Sequence, residues 1–255
     1  MINTGQPPVI SIRNLCYGVG GHRILEDVSL DVHRGEIFGV MGLSGSGKST
    51  LLRNIMALVH PTSGDIQIRG ESIIGMHEHA LNHVRQSMGM CFQYAALFDS
   101  LTVADNVGFG LRWHTRLSKA EIAREVEENL RIVGMEGSED EMPSELSGGM
   151  RKRVGIARAL ITRPDIMLYD EPSAGLDPVM ARVIDKLVVR LRDEFGATSV
   201  IVTHDVDELF GLCDRVLMIH DRRVVICDTP EALRATDNPV VRQFIEGSAE
   251  GPIQV

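Results

Sequence analysis

The chain has 255 residues, 44% hydrophobic and 24% charged, enough to bury a large core in one or two domains. Its formal charge of −9, from 26 basic and 35 acidic residues, argues against nucleic acid as the main partner. No apolar run approaches the ~18 residues of a membrane span, so any membrane role has to come through a partner. MINTGQPPVI lacks the basic and apolar regions of a signal peptide, and four cysteines without CxxC spacing read as reduced, mostly packed thiols.

In chain order, VISIRNL and VSLDVH alternate as strands about a turn at Gly20 and Gly21, with Val28, Leu30 and Val32 on one side. EIFGVMG is a short apolar run that feeds GLSGSGKST and a helical LLRNIMALV. Strand, glycine loop and helix are what a phosphate-binding turn demands, and the loop fits GxxxxGK[ST]. Gly42, Gly45 and Gly47 let backbone N–H groups wrap phosphates, and Ser44, Ser46 and Thr50 complete the nucleotide-binding set. Lys48 neutralises charge on the β- and γ-phosphates, and Ser49 offers a hydroxyl to Mg²⁺. In MHEHALNHVR, His79 and His83 at i, i+4 could face one metal, but no third ligand is evident beyond His77 or Glu78. A surface helix is the expectation there.

MGMCF (88–92) is a further strand, ending at Gln93, whose amide can reach a metal or an attacking water. Residues 95–160 lack strand runs and read as a helical subdomain inserted into the α/β core; Ser118 and Glu121 form a capping box for a helix ending near Gly134. Ser147, Gly148 and Gly149 directly precede the helical MRKRVGIARAL, a second bare helix start suited to an anion. The basic run Arg151, Lys152, Arg153 is expected to be a solvated helix face. The strand DIMLY (165–169) ends in Asp170, placed to hold the Mg²⁺ shell, and Glu171, placed to polarise a water for in-line attack on the γ-phosphate. Over 178–195, Val183, Ile184, Leu187, Val188 and Leu191 make one apolar helix face. The strand SVIVT (199–203) presents His204 for a γ-phosphate contact, and RVLMI (215–219) is another strand. After Pro239 comes a short helix, VVRQFIEG, and then SAEGPIQV, expected to be a loose tail. The alternation of strands and helices predicts a largely parallel α/β sheet.

The ordered series Tyr17, GLSGSGKST, Gln93, LSGGM, IMLYDEP, Ser173 to Asp177 and His204 resembles an ABC-type ATPase, the nucleotide-binding subunit of an ABC transporter, over nearly the whole chain. The resemblance implies a P-loop NTPase (RecA-like) core, over 1–94 and 161–237, with an N-terminal antiparallel β subdomain. It implies an inserted α-helical subdomain over 95–160 and a C-terminal helix and tail over 238–255. It also implies ATP and Mg²⁺ as ligands, and a head-to-tail pair of copies in which Ser147, Gly148 and Gly149 of one close over ATP held by the other. Asp177 would lie across that interface and Tyr17 would stack on adenine. MPSELSGGM, ALFDSLTVADNV (96–107) and VRQFIEG are similar to the ATPases of Mla-type lipid transporters. Met150, which departs from the glutamine common after LSGG and cannot replace its hydrogen bonds, fits that group. Those proteins imply a permease docking near residues 93–107, where Phe98, Leu101, Val103 and Val107 either line the groove or belong to the core. They also imply an MCE-domain lipid-binding partner, a C-terminal helix that helps hold the dimer, and a place on the cytoplasmic face of the bacterial inner membrane. Alternatives are an ABC ATPase for another substrate such as polar amino acids, a non-transport ABC protein, and a purely regulatory nucleotide binder.

Overall fold

The computed structural model describes residues 6–254; the first residues, on which the signal-peptide reading partly rests, and the last residue of the tail lie outside them. In chain order the elements are β1 (Ile10–Val19), β2 (His22–Val32), β3 (Ile37–Met41), α1 (Lys48–Ile55), β4 (Ser63–Ile68), β5 (Glu71–Ser72) and α2 (Glu78–Gln86). Next come β6 (Met88–Cys91), α3 (Val103–Val107), α4 (Phe109–His114), α5 (Lys119–Ile132), α6 (Gly148–Leu160), β7 (Ile166–Asp170) and α7 (Pro178–Phe195). The chain closes with β8 (Thr198–Val202), α8 (Val206–Leu212), β9 (Arg215–His220), β10 (Arg223–Asp228), α9 (Pro230–Arg234) and α10 (Pro239–Glu246). Two compact units result, one from the chain up to Asn82 and from Thr198 onward, the other from His83–Ala197.

In the first unit, β2-β1-β4-β5 form an antiparallel sheet. The β1–β2 register sets Ile10 against Val32, Ile12 against Leu30 and Leu15 against Val28, and all six are buried. In β2 the period-two alternation puts Val28, Leu30 and Val32 inward, while in β1 a register shift between Ile12 and Leu15 brings both to the buried face; each such side chain contributes about 1.5–3 kcal/mol on full burial. In the same unit β3 lies between β8 and β9, parallel to both, with β10 antiparallel to β9. Every residue of β3 and β8 is buried, which is why these strands read as unbroken apolar runs. The tail is not loose. Gln243 of α10 donates to the carbonyls of Ser248 and Ile253 and accepts from the Ile253 N–H at 2.7 Å, and Ile253 is only 6% exposed. Gly251 permits this return, because a Cβ there would come within 2.4 Å of Gln243 Cδ.

In the second unit β6 and β7 pair in parallel, and the segment between them is helical, α3 to α6. The capping box forms as expected: Glu121 N–H donates to Ser118 Oγ, and Ser118 N–H to Glu121 Oε2. The inward face of α7 is Ile184, Leu187, Val188 and Leu191; Val183 is 38% exposed and falls outside it. Val103 and Val107 are core, whereas Phe98 is exposed. Asn106 fixes the loop that carries Phe98, donating to the carbonyls of Phe98, Leu101 and Thr102 and accepting from the Phe98 N–H. No helix among the described residues is long and apolar enough to cross a membrane.

Candidate active site

The phosphate loop leaves the carboxyl end of β3 and ends in α1. Gly42 and Gly47 have φ of 148° and 99°; a Cβ would meet the Ile219 carbonyl at 2.3 Å in the first case and Leu25 Cδ2 at 2.8 Å in the second. Only glycine fits this curl, and it leaves a concavity lined by backbone. Lys48 is buried, and its Nζ donates to Gly42 O at 2.8 Å and Leu43 O at 2.9 Å, so the ammonium is held inside the loop. The first turn of α1 takes no side-chain cap. Ser46 Oγ is buried without a hydrogen-bond partner, although Ser44 and Gly45 beside it are exposed. A cationic, backbone-lined cradle with an unsatisfied buried hydroxyl fits a polyphosphate.

Two further candidates lie in the same unit. His204 follows β8, whose Val202 pairs with Val40 of β3, so the histidine and the phosphate loop leave the same end of adjacent parallel strands. His204 is exposed, and the next residue, Asp205, caps α8. Tyr17 pairs with Leu25 and lines a cleft of ≈ 330 Å³ together with Gly18, His22, Arg23 and Thr62. Leu25, which also lines it, is the residue that Gly47 packs against. The cleft therefore opens beside the start of α1 and has an aromatic wall.

In the second unit, Cys91 of β6 pairs with Tyr169 of β7, so Gln93 and the Asp170–Glu171 pair again leave neighbouring strand ends. Both carboxylates are buried, and Glu171 has a left-handed φ of 50°. Burial pushes the Cys91 thiol up to about 12, outweighing the opposite pull of the Arg158 and Lys152 charges. At the second glycine-lined helix start Ser147 caps α6, accepting from the Met150 N–H, and Ser147 and Gly148 are exposed while Gly149 is buried. Asp177 caps α7 through the N–H groups of Val179 and Met180, and Leu176 and Met180 reach toward Gly148 and Gly149.

The basic run is only partly a solvated face: Arg151 is exposed and Lys152 and Arg153 are half-buried, and the head of each also meets a carbonyl. Arg151 donates to Leu146 O, Lys152 to Glu171 O and Arg153 to Gly134 O, at 2.6, 2.7 and 2.6 Å. Sequence reading missed these roles because a charged helix face looks the same whether its heads meet water or carbonyls. Beyond Gln93 an aromatic series reaches the surface: Tyr94 is 85% and Trp113 74% exposed, and Phe109 lies 4.8 Å from the Phe98 ring centroid and 6.3 Å from that of Trp113. Phe109 and Trp113 were not anticipated, since four aromatics on a loop and a short helix have no period. Among the described residues no group of three or more His, Cys, Asp or Glu side chains is gathered as a metal would require, and His77, His79 and His83 belong to none.

A family model described as ABC transporter matches residues 25–174. The chain is 40% identical to the intermembrane phospholipid transport system ATP-binding protein MlaF of Escherichia coli (strain K12), over 96% of this chain and 91% of that one. It is 41% identical to the probable ribonucleotide transport ATP-binding protein mkl of Mycobacterium leprae (strain TN), over 96% of this chain and 70% of the other. The fold matches the dimeric, post-hydrolysis structure of the ATP-binding cassette MJ0796 bound to ADP and Pi with a TM-score of 0.80 and 32% identity, covering 87% of this chain and 98% of that one. The ordered motifs, the two glycine-lined helix starts and likeness along nearly the whole length agree: the chain belongs to the ABC transporter family, as one of its ATPase subunits.

Proposed function

We propose that this chain hydrolyses ATP to drive the movement of phospholipids or related lipids between bacterial membranes. It works as a head-to-tail pair of copies on the cytoplasmic face of the inner membrane, bound to a permease near residues 93–107, with an MCE-domain protein as the lipid-binding partner. The observation that carries the reading is the 40% identity to a phospholipid-transport ATPase over nearly the full length of both chains. The dimeric state of the MJ0796 cassette supports the pairing. The exposed aromatics Tyr94, Phe98 and Trp113 support permease docking, because rings of this size favour burial under a partner.

In this reading Tyr17 stacks on adenine, and Gly42, Ser44, Gly45, Ser46, Gly47, Lys48 and Thr50 hold the phosphates. Ser49, Gln93 and Asp170 are the residues that would hold Mg²⁺, which when bound neutralises charge on the β- and γ-phosphate oxygens. Glu171 accepts a proton from the water whose oxygen attacks the γ-phosphorus, the bond to the β-phosphate oxygen breaks, and ADP leaves with phosphate. His204 donates to the γ-phosphate and orients it. Ser147, Gly148 and Gly149 supply the anion-binding helix start of α6 to the nucleotide of the partner copy, with Asp177 across the interface. ATP thereby bridges two copies, and cleavage removes the bridge.

A second reading has one specific observation behind it: the mkl protein, named for ribonucleotide transport, is 41% identical over the same share of this chain, though over less of its own length. One experiment separates the two. The chain is purified in detergent with its permease, the extract is analysed for lipid by mass spectrometry, and ATPase activity is followed with phospholipid vesicles or with ribonucleotides added. Retained phospholipid and stimulation by vesicles support lipid cargo; stimulation by ribonucleotides alone, with no lipid retained, overturns it.

A further inference from the structure

Two stretches of backbone beside reacting side chains hold non-glycine residues in the left-handed region: Glu171, at φ 50°, and Ala95 and Ala96, at 60° and 49°, shortly after Gln93. Such backbone is unfavourable for any residue with a Cβ and persists where the surroundings hold it. Both stretches are held by α6. Lys152 Nζ donates to the Glu171 carbonyl at 2.7 Å, while Arg158 spans the other loop, Nη1 to Ala96 O at 2.6 Å and Nη2 to Ala95 O at 2.8 Å. Midway between them, Gly155 lets the helix approach so closely that a Cβ would lie 3.2 Å from that of Ala95. Residues 152, 155 and 158 are spaced by three, so they follow one row along the helix.

Arg151 and Arg153 also donate to carbonyls, but those belong to Leu146, which leads into the Ser147 helix start, and to Gly134, and neither adjoins Glu171 or Gln93 in the chain. Lys152 and Arg158 differ because the carbonyls they hold belong to Glu171 itself and to the loop that follows Gln93. Taking Glu171 as the base, as proposed above, we infer that Lys152 and Arg158 are positioning residues: they fix the peptide that aims the Glu171 carboxylate and the loop that carries Gln93. Both act from the helix whose N-terminus is the Ser147 loop. Nucleotide of the partner copy engaged at Ser147 thus bears on the base that acts on the subunit's own nucleotide, through one rigid element. A carbonyl contact from a charged donor is directional and strong, as such coupling needs.

The test is steady-state ATPase kinetics and nucleotide affinity on the full chain. Lys152→Met lowers kcat about tenfold, the loss expected for one hydrogen bond from a charged donor, with nucleotide affinity unchanged. Lys152→Arg restores turnover to within about threefold. In a Glu171→Gln background, Lys152→Met changes the residual rate less than about twofold, since its effect passes through that carboxylate. Arg158→Lys, whose single ammonium cannot span two carbonyls, also lowers kcat with affinity kept, and it serves if Lys152→Met does not fold. Wild-type turnover in both Lys152→Met and Arg158→Lys, or a further about tenfold loss on adding Lys152→Met to Glu171→Gln, overturns the inference while leaving Glu171 as base intact. Undiminished turnover in Glu171→Gln alone would instead remove the reading beneath it.

Discussion

Replacing Lys48 by methionine removes a buried ammonium that donates to Gly42 O at 2.8 Å and Leu43 O at 2.9 Å, and leaves most of the side-chain stem. With nucleotide bound, a unit charge about 4 Å from a phosphate oxygen is worth about 4 kcal/mol at an effective dielectric of about 20. Turning toward the phosphate gives up the two carbonyl bonds, at about 1 kcal/mol each. The difference, about 2 kcal/mol, corresponds to roughly a thirtyfold weaker Kd for ATP. Titration with a fluorescent ATP analogue in metal-free buffer reads the affinity directly, and a thermal melt reports the fold. The free variant also loses the two carbonyl bonds, so its Tm falls by a few degrees, at roughly 2–4 °C per kcal/mol for a chain of this size. An affinity within threefold of wild type, alongside the lower Tm, would mean that the ammonium only ties the loop, and the charge argument for the phosphate site would fail.

Three further outcomes are expected. Glu171→Gln keeps the shape of the side chain but cannot accept the proton, so turnover falls by about 10²–10⁴-fold while ATP still binds; sedimentation with ATP should then show a trapped dimer, and only monomer at saturating nucleotide would refute the sandwich. Gln243→Ala removes three hydrogen bonds that pin residues 248–253, about 3 kcal/mol net, so protection of the Ile253 amide from hydrogen exchange should drop by about 10²-fold; unchanged protection would mean that burial of Ile253 alone docks the tail. The Cys91 thiol is held at about 12, above its value in the unfolded chain. Between about pH 8.5 and 12 the unfolded chain therefore loses the proton that the folded chain keeps, and stability falls as pH rises. Cys91→Ala should flatten that part of the stability profile in urea titrations, and an unaltered slope would contradict the burial argument.

The strands that became the core were legible where both faces are covered. EIFGVMG, DIMLY and SVIVT are unbroken apolar runs because a parallel strand with cover on each side has no polar face to show. β4, β5 and β10 carry no strong period: SGDIQI has two apolar residues, ES is a two-residue pairing, and the four middle residues of RVVICD are all half-buried between exposed ends. The tail was misread for a related reason. A single buried isoleucine and one glutamine amide dock it, and neither leaves a pattern in SAEGPIQV.

For the chemistry the division is similar. The expected roles of Gly42, Gly47, Lys48, Ser147 and the Asp170–Glu171 pair rest on the chain alone, because each motif is local: a few consecutive residues suffice to curl backbone around an anion or to end a strand in carboxylates. Tertiary structure alone decided that Lys152 reaches the carbonyl of Glu171, 19 residues away, and that Arg158 holds Ala95 and Ala96, more than 60 residues back. It also decided that Glu171 itself is left-handed and that Ser46 Oγ is buried without a partner. A side chain's type fixes what it can donate, but which acceptor it meets depends on how distant strands and helices pack, and that has no signature in neighbouring residues.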